Sequence, residues 1–578
     1  MKKLTMISMA ALLLLAVSCK KDKEQQIDGS GIGFRATVES HEGDSKTHLD
    51  GVAVNWDSND EILVQSNTCA AGKRFVLVYE EGDEAGFNPA ETLPEGFYSP
   101  NYTAYYPADM MQTGTFTLPA IQTYKANSFG NGANPMIAVC NDNKKLAFKN
   151  ICGLLKLQLY SETACRVRSI TLISHKENEL LCGTGTVDWN GDEPKLSLAS
   201  GDGSLTLDCG AEGLVMSTKA SNPSVFYFVV PAGALSEGFT VKVTDTGGKY
   251  WIKAAKASTD ASTDNTIARS KIKPMPKQEV ACTHPEGTLP GLFSVGSGRQ
   301  AQVRFSQGNL QYKASTNTWR FAENQWNFVG TQKPGAGFVA GGNVYENGII
   351  CDNADRSPSY DGWIDLFGWG TSGYDHGATV YQPWSNDQDN THYYAYGDFH
   401  KSLYEGTGEA DWGENTISNG HGSDWYTPTH DEFTYLLNTR TDAKKLFGLG
   451  KVCGVPGLII LPDGWDWSKI QLSDLKPDWK PRNSFGDGDE DVWDFSINNY
   501  LYSDWAKMEA MGALFLPAAG NKGNNVTNVT TNGYYWDSDW SEEYSCCISF
   551  YAGKAKDSGP SRNYRSRGFS VRLVANYP

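Results

Sequence analysis

A mainly β chain that closes in a smaller α+β unit is the fold class this sequence predicts, and three observations predict it. From about Ile32 to Lys273 apolar residues recur two apart almost throughout, as in Val52, Val54 and Trp56, in Leu155, Leu157 and Leu159, and in Phe239, Val241 and Val243. Such alternation puts one face of a strand in a core and the other in water. Glycine is abundant, 60 of 578 residues, and falls with Asn and Asp at turn signals such as Asn59-Asp60, Asn190-Gly191-Asp192 and Gly247-Gly248. Long helical periodicity is scarce, so many short strands joined by turns account for the composition.

The elements follow in order. The first is a targeting segment: Lys2-Lys3, an apolar run from Met6 to Val17, then Ala16-Val17-Ser18-Cys19. The run is too short to span a bilayer permanently. A Cys after small residues and before the polar stretch Lys20–Gln26 resembles a bacterial lipoprotein signal, which implies lipidation at Cys19. An ordinary secretory signal with an incidental Cys is the alternative, and either reading takes the chain out of the cytoplasm. We divide the chain into a signal at 1–18, a flexible tether at 19–31, β units at 32–150 and 151–273, a linker at 274–291 and a final unit at 292–578. At this length three or four domains are expected. The linker PMPKQEVACTHPEGTLPG carries four prolines and no periodic pattern.

In the final unit, strand and turn open at Phe305–Tyr312 and Trp319–Trp326. A helix is predicted over Thr427–Arg440, where Thr429 and Glu432 make a capping box and Phe433, Leu436 and Leu437 share a face. A second is expected over Tyr502–Met511, with short apolar strands at Leu458–Leu461 and Ala513–Leu516. The closing segment from Gly533 to Val574 is dense in Trp, Tyr, Ser, Asp and Arg. Its ends, Tyr534-Tyr535-Trp536 and Phe569–Val574, read as buried strands.

The ordered pieces Phe34-Arg-Ala, Lys46-Thr47-His-Leu-Asp, Val54-Asn-Trp56, Asp60-Glu-Ile-Leu-Val, Tyr102–Pro107, Pro119–Gln122, Phe148-Lys-Asn150 and Val230-Pro-Ala-Gly233 resemble the fimbrillin family of Bacteroidales pilins. The resemblance implies two tandem transthyretin-like β-sandwich domains, with a generic secreted two-domain β protein as the alternative. It also implies trimming of the first strand after a basic residue, with Arg35 and Lys46 as candidates, and entry of a neighbouring subunit's strand into the vacated groove. The unit at 292–578 resembles the C-type lectin fold, in the branch shared by formylglycine-generating enzymes and the variable proteins of diversity-generating retroelements. The pieces that carry this are Trp363–Gly370, Asp411-Trp-Gly413, Trp425–Thr429, Leu461-Pro-Asp463, Phe515–Gly520, Gly533–Trp536 and Gly568–Val574.

The chemistry points toward binding. A formal net charge of −17 with no Lys/Arg stripe excludes nucleic acid as an expected partner. The eleven Cys beyond Cys19 show no metal-ligand spacing and read as mostly buried thiols, with one or two disulfides at most. A formylglycine-generating enzyme would need a copper-binding pair of cysteines, but Cys546 and Cys547 are adjacent and point to opposite faces of a strand. His421 and His430 flank the Trp425 region and read as surface or hydrogen-bonded residues. No cofactor and no metal are expected. Asp487, Asp489 and Asp491 are a weak calcium candidate, read by preference as a solvated loop.

In the closing segment Trp536, Phe550, Phe569, Val571 and Leu573 are assigned to the core. Trp540, Tyr544, Tyr551 and Tyr564 are expected to be exposed beside Arg562 and Arg565, and rigid aromatics with Arg make an effective contact patch. The candidate ligand contacts are Asp539, Trp540, Tyr544, Tyr551, Arg562, Asn563 and Tyr564, for a protein or a glycan. In the retroelement-diversified group this segment carries the variable contacts, which implies variation over Ser538–Asn563.

The expected function is a cell-surface adhesin of the outer membrane or fimbrium. As a pilus tip subunit it would accept a strand from other fimbrillin subunits and present the lectin-like unit, touching membrane only through lipid on Cys19. A surface lipoprotein that never polymerises is the runner-up, and an enzyme of formylglycine-generating or glycan-active type is third.

Overall fold

The computed structural model describes residues 33–576, apart from 40–55, 256–263, 297–300, 339–344, 405–408, 473–477, 482–491, 555–558 and breaks of one to three residues. The signal, the tether, Cys19, Lys46 and the run Asp487, Asp489 and Asp491 lie outside the described residues. What is described is mainly β, with two short α-helices.

Seven strands of the first 150 residues close into a ring, in the order Phe34–Val38, Lys145–Asn150, Met136–Cys140, Tyr102–Tyr106, Glu61–Ser66, Cys69–Glu81 and Glu84–Pro89. The leading strand Phe34–Val38 runs parallel to Lys145–Asn150 and antiparallel to Glu84–Pro89. Its Phe34 and Ala36 are buried in the ring's core, where Phe34 meets Phe75 and Tyr102 edge to face. Arg35 stands mid-strand and pairs with Glu84 at 2.8 Å.

The next part centres on Cys152–Tyr160, which pairs with Ser224–Pro231 on one side and with Ile272–Pro274 and Gln278–Glu279 on the other. A second sheet orders Tyr250–Ala255, Phe239–Asp245, Arg166–Ser174, Ser204–Asp208 and Ile121–Thr123. Here the expectation of one wet face fails. Leu155, Leu157 and Leu159 enter one core, while Cys152 and Leu154 enter another with Met110, Met111, Phe116 and Leu118. The chain at 111–123 supplies the cover, because its strands pair with Cys182–Asp188 and Ser204–Asp208. Pairing therefore crosses the division expected near Asn150.

The proline-rich stretch expected as a linker is packed. Val280 is fully buried, Tyr250 and His284 exchange backbone hydrogen bonds, and the Tyr250 hydroxyl donates to Thr288 O at 2.5 Å.

From Phe293 onward short sheets surround three apolar clusters. The last strand, Val574–Asn576, pairs with both Gln302–Phe305 and Trp425–Tyr426, so the end of the chain is tied to the start of this part. Phe569–Leu573 is buried as expected, but is held by single bridges, Phe367 to Phe569 and Tyr535 to Ser570, rather than as a regular strand. One four-stranded sheet orders as Asn498–Tyr500, Phe447–Val452, Val455–Ile460 and Leu514–Pro517. Helix α1 covers His430–Thr434 and continues as a wider π turn, Tyr435–Thr439. Thr429 Oγ1 accepts from Glu432 N, and Thr429 N donates to Glu432 Oε2 at 2.9 Å, so the capping box forms. Phe433, Leu436 and Leu437 enter the core. Helix α2 covers Tyr502–Ala510.

Candidate functional site

The closing segment folds into a three-stranded antiparallel sheet, Asn532–Ser541, Tyr544–Tyr551 and Gly559–Tyr564. Gly533 opens the first strand because Phe550 crosses it: a Cβ there would lie 2.1 Å from Phe550 Cζ. The register then breaks. Trp536 faces Cys547 and Trp540 faces Ser545, so four steps on one strand oppose two on the other. The two extra residues make a bulge, which bends a strand and redirects its side chains.

The bulge carries Asp537, Ser538 and Asp539 against the start of α1. Ser538 N donates to Pro428 O and Leu403 N donates to Ser538 O, both at 2.9 Å. Trp369 Nε1 donates to Asp537 O at 2.9 Å. Asp539 accepts from His430 N at 2.8 Å and from Ser402 Oγ at 3.1 Å, while its own N donates to Asp537 Oδ1 at 3.0 Å. His430 Nδ1 lies 3.0 Å from Asp537 Oδ2.

Asp537 is fully buried, and desolvation pushes its carboxyl up to about 7 although the His430 contact opposes this. The same contact holds His430 above the usual imidazole value, against the cost of its partial burial. The pair therefore retains a shared proton to higher pH than a free imidazole would.

A cleft of about 510 Å³ opens beside this pair, lined by His430, Asp431, Asp539, Trp540, Cys546 and Arg562 among others. Three of the seven candidate contacts, Asp539, Trp540 and Arg562, thus meet in one place. Tyr544 and Tyr564 form a cross-strand ring pair with centroids 5.1 Å apart. They lie two residues along from the Cys546 and Arg562 pair, on the same face. Asn563 sits opposite Ser545 and is half-buried. Tyr551 is at the far end of its strand from Tyr544, about 23 Å away at normal strand rise, and so stands apart from the cleft.

Two expectations about exposure are corrected. Of the four aromatics, Tyr564 is exposed at 46%, whereas Trp540, Tyr544 and Tyr551 are half-buried. Trp540 packs against the core cluster that holds Trp369, Trp412 and Trp536. Arg565 is fully buried and not a surface contact. Its guanidinium donates to Tyr394 O at 2.8 Å and Glu542 O at 3.1 Å and lies over the Trp369 ring, which fixes the turn between the first two strands.

Cys546 and Cys547 diverge as strand geometry requires. Cys547 is buried beside Trp536 and Phe569, and Cys546 faces the cleft. Burial and the Asp537 and Asp539 carboxylates keep the Cys546 thiol protonated well above its usual range. The eleven described cysteines are all free, with Cys165 and Cys282 sulfurs 3.8 Å apart. Sequence reasoning missed Asp431 and Cys546 as cleft residues and Asp537 as the buried partner of His430 behind them. The Asp537-Ser-Asp539 run between two tryptophans was the available signal.

No family model and no curated protein matches the chain. Solved structures with some likeness to it include a candidate cell adhesion protein from Bacteroides ovatus, 10% identical, covering 43% of this chain and 94% of that one at a TM-score of 0.27. A fimbrial protein from Bacteroides ovatus, also 10% identical, covers 94% of this chain and 98% of its own at 0.21. A C-terminally truncated tip fimbrial protein from Porphyromonas gingivalis, again 10% identical, covers 39% and 83% at 0.17. At these values the likeness assigns the chain neither a domain architecture nor a function.

Proposed function

We propose that the chain is a cell-surface adhesin, exported and lipidated at Cys19, which serves as a pilus tip subunit and binds a protein or glycan through its C-terminal part. The observation that carries the binding role is the convergence of Asp539, Trp540 and Arg562 on one open cleft, continued along the sheet by the Tyr544 and Tyr564 pair. An indole face, a guanidinium and a carboxylate within one concavity suit a ligand with both polar groups and an apolar or sugar face. The bulge and Arg565 anchor this surface through backbone contacts, so loop residues beyond them can vary without loss of the scaffold. Diversification within Ser538–Asn563 is proposed on that basis for positions other than the buried Ser538, Cys547, Ile548 and Phe550.

The strand-accepting role is supported by the leading strand. Phe34–Val38 is hydrogen-bonded on both sides and buries Phe34 and Ala36, so its removal would leave a groove with two unpaired edges and an apolar floor. Cleavage after Lys46 would remove the whole strand, whereas cleavage after Arg35 would leave Ala36–Val38 in place. A second reading, a surface lipoprotein that never polymerises, is favoured by Arg35 lying inside this fully paired strand.

Immunogold labelling of intact cells with antibody to residues 292–578 tests the proposal. Gold at the ends of fibres is the expected result. Gold confined to the cell envelope on cells that carry fibres overturns the tip assignment.

A further inference from the structure

His430, Asp537 and Cys546 reach one point from three different elements: the first residue of α1, the bulge and the middle strand of the sheet. Their ligand atoms, one from each residue, all lie within 4.8 Å of one another. Among the described residues no other set of three His, Cys, Asp or Glu side chains meets so closely. Asp537 and Cys546 are buried, and the His430 side chain is 30% exposed at the cleft wall.

We infer that these three side chains form a site for a divalent transition metal ion of the zinc, cobalt or nickel class at the inner wall of the cleft. The donor set decides the class. One imidazole nitrogen, one thiolate and one carboxylate oxygen suit a borderline-soft ion in tetrahedral geometry, whereas calcium and magnesium take oxygen ligands throughout. Tetrahedral bonds of about 2.0–2.3 Å place ligand atoms roughly 3.3–3.7 Å apart. Atoms at most 4.8 Å apart therefore draw together by roughly 1 Å on loading while the 3.0 Å contact of His430 Nδ1 with Asp537 Oδ2 opens slightly, both within the reach of side-chain rotation.

Outer contacts already hold the ligands in place. Asp537 Oδ1 is fixed by Asp539 N, and Asp539 in turn accepts from His430 N, so two ligands are oriented by one neighbouring residue. Asp431 and Asp539 on the wall face a single guanidinium, Arg562, which favours a cation there. On loading, the proton shared across the His430 and Asp537 contact and the Cys546 thiol proton leave to solvent as metal bonds form to nitrogen, oxygen and sulfur. Three protein ligands leave the fourth position open to the cleft, where a ligand's own donor atom can bind.

This inference uses the wall of the proposed binding cleft but does not need a known ligand. Full-length chain stripped of metal is titrated with cobalt(II) and followed by absorption. The expected result is a thiolate-to-cobalt charge-transfer band with visible tetrahedral bands, saturating at one ion per chain and displaced by zinc(II). Cys546→Ala loses the charge-transfer band, and His430→Ala weakens cobalt uptake more than tenfold. Thermal melts matching the parent chain show that each variant is folded. No charge-transfer band in the parent, or a band of equal strength in Cys546→Ala, overturns the site. A chain that adheres to cells yet takes no cobalt removes the metal and leaves the adhesion reading intact.

Discussion

Arg572 Nη2 donates to Gln325 Oε1 at 2.8 Å, joining the last turn of the chain to a loop near the start of its final part. Gln325 Nε2 passes the contact on to Glu509 Oε1 of α2 at 2.9 Å, and Arg572 Nη1 reaches Asn309 at 3.2 Å. The guanidinium is fully buried. An Arg in the closing Phe-Ser-Val-Arg-Leu-Val run is therefore a scaffold residue, and Arg572→Ala would leave a cavity and take a donor from two buried side chains, Gln325 and Asn309. The expected cost is about 3 kcal/mol, read as a lower midpoint in denaturant unfolding of the full chain. A midpoint within experimental error of the parent would remove this residue from the scaffold.

The candidate contacts separate into groups that mutation can tell apart. Trp540→Ala and Arg562→Ala remove groups that line the cleft, whereas Tyr551→Ala alters the far end of the same sheet. On an array of glycans and extracellular matrix proteins, the first two variants are expected to raise the half-saturation concentration at least tenfold, which corresponds to about 1.4 kcal/mol. Tyr551→Ala is expected to leave it within twofold. Equal losses from all three would mean that the contact surface runs along the whole sheet.

A histidine far from the cleft sets a pH dependence. His175 is fully buried with its Nε2 2.8 Å from Thr240 Oγ1, and desolvation, aided by the Lys507 ammonium, lowers it to about 3. A lowered imidazole stays neutral when folded while the unfolded chain takes up a proton below pH 6.5. Its contribution to stability is thus present above 6.5 and is lost as pH falls toward 3, by roughly 1.4 kcal/mol per pH unit. Thermal melts between pH 7 and 4 should show a shallower acid decline in His175→Gln than in the parent. Parallel curves would contradict the buried neutral state.

The leading strand offers a direct exchange assay. A chain trimmed after Lys46 is expected to bind a synthetic peptide of residues 33–39 at one to one by calorimetry, because the peptide restores both ladders and the buried Phe34 and Ala36. The untrimmed chain, whose edges are already paired, is expected to bind none. Equal binding by both, or by neither, would deny that this groove accepts a strand.

What the sequence revealed follows the range of the interactions involved. The capping box at Thr429 and Glu432 was legible because its four atoms lie within three residues of one another. The burial of Trp536, Phe550, Phe569, Val571 and Leu573 was legible because large apolar side chains leave water wherever the chain places them. The bulge at Asp537–Asp539 was not, since it depends on how two strands register and on what α1 offers across the gap. Cys152–Tyr160 misled for a related reason: alternation describes one strand, while the cover over its second face comes from residues 111–123. Arg565 was misread because a string of polar neighbours looks exposed, and only the fold shows that three backbone carbonyls, of Tyr394, Glu542 and Tyr544, surround its guanidinium.

The cleft beside Asp539, Trp540 and Arg562 is the proposed place where the chain holds its ligand. Cells displaying the full-length chain, compared with cells displaying equal amounts of the Trp540→Ala/Arg562→Ala double variant, measure this most directly when attachment to a glycan- or matrix-coated surface is counted. The parent is expected to attach, and the double variant to fall to the level of cells without the chain. Undiminished attachment by a folded, displayed double variant would contradict that placement.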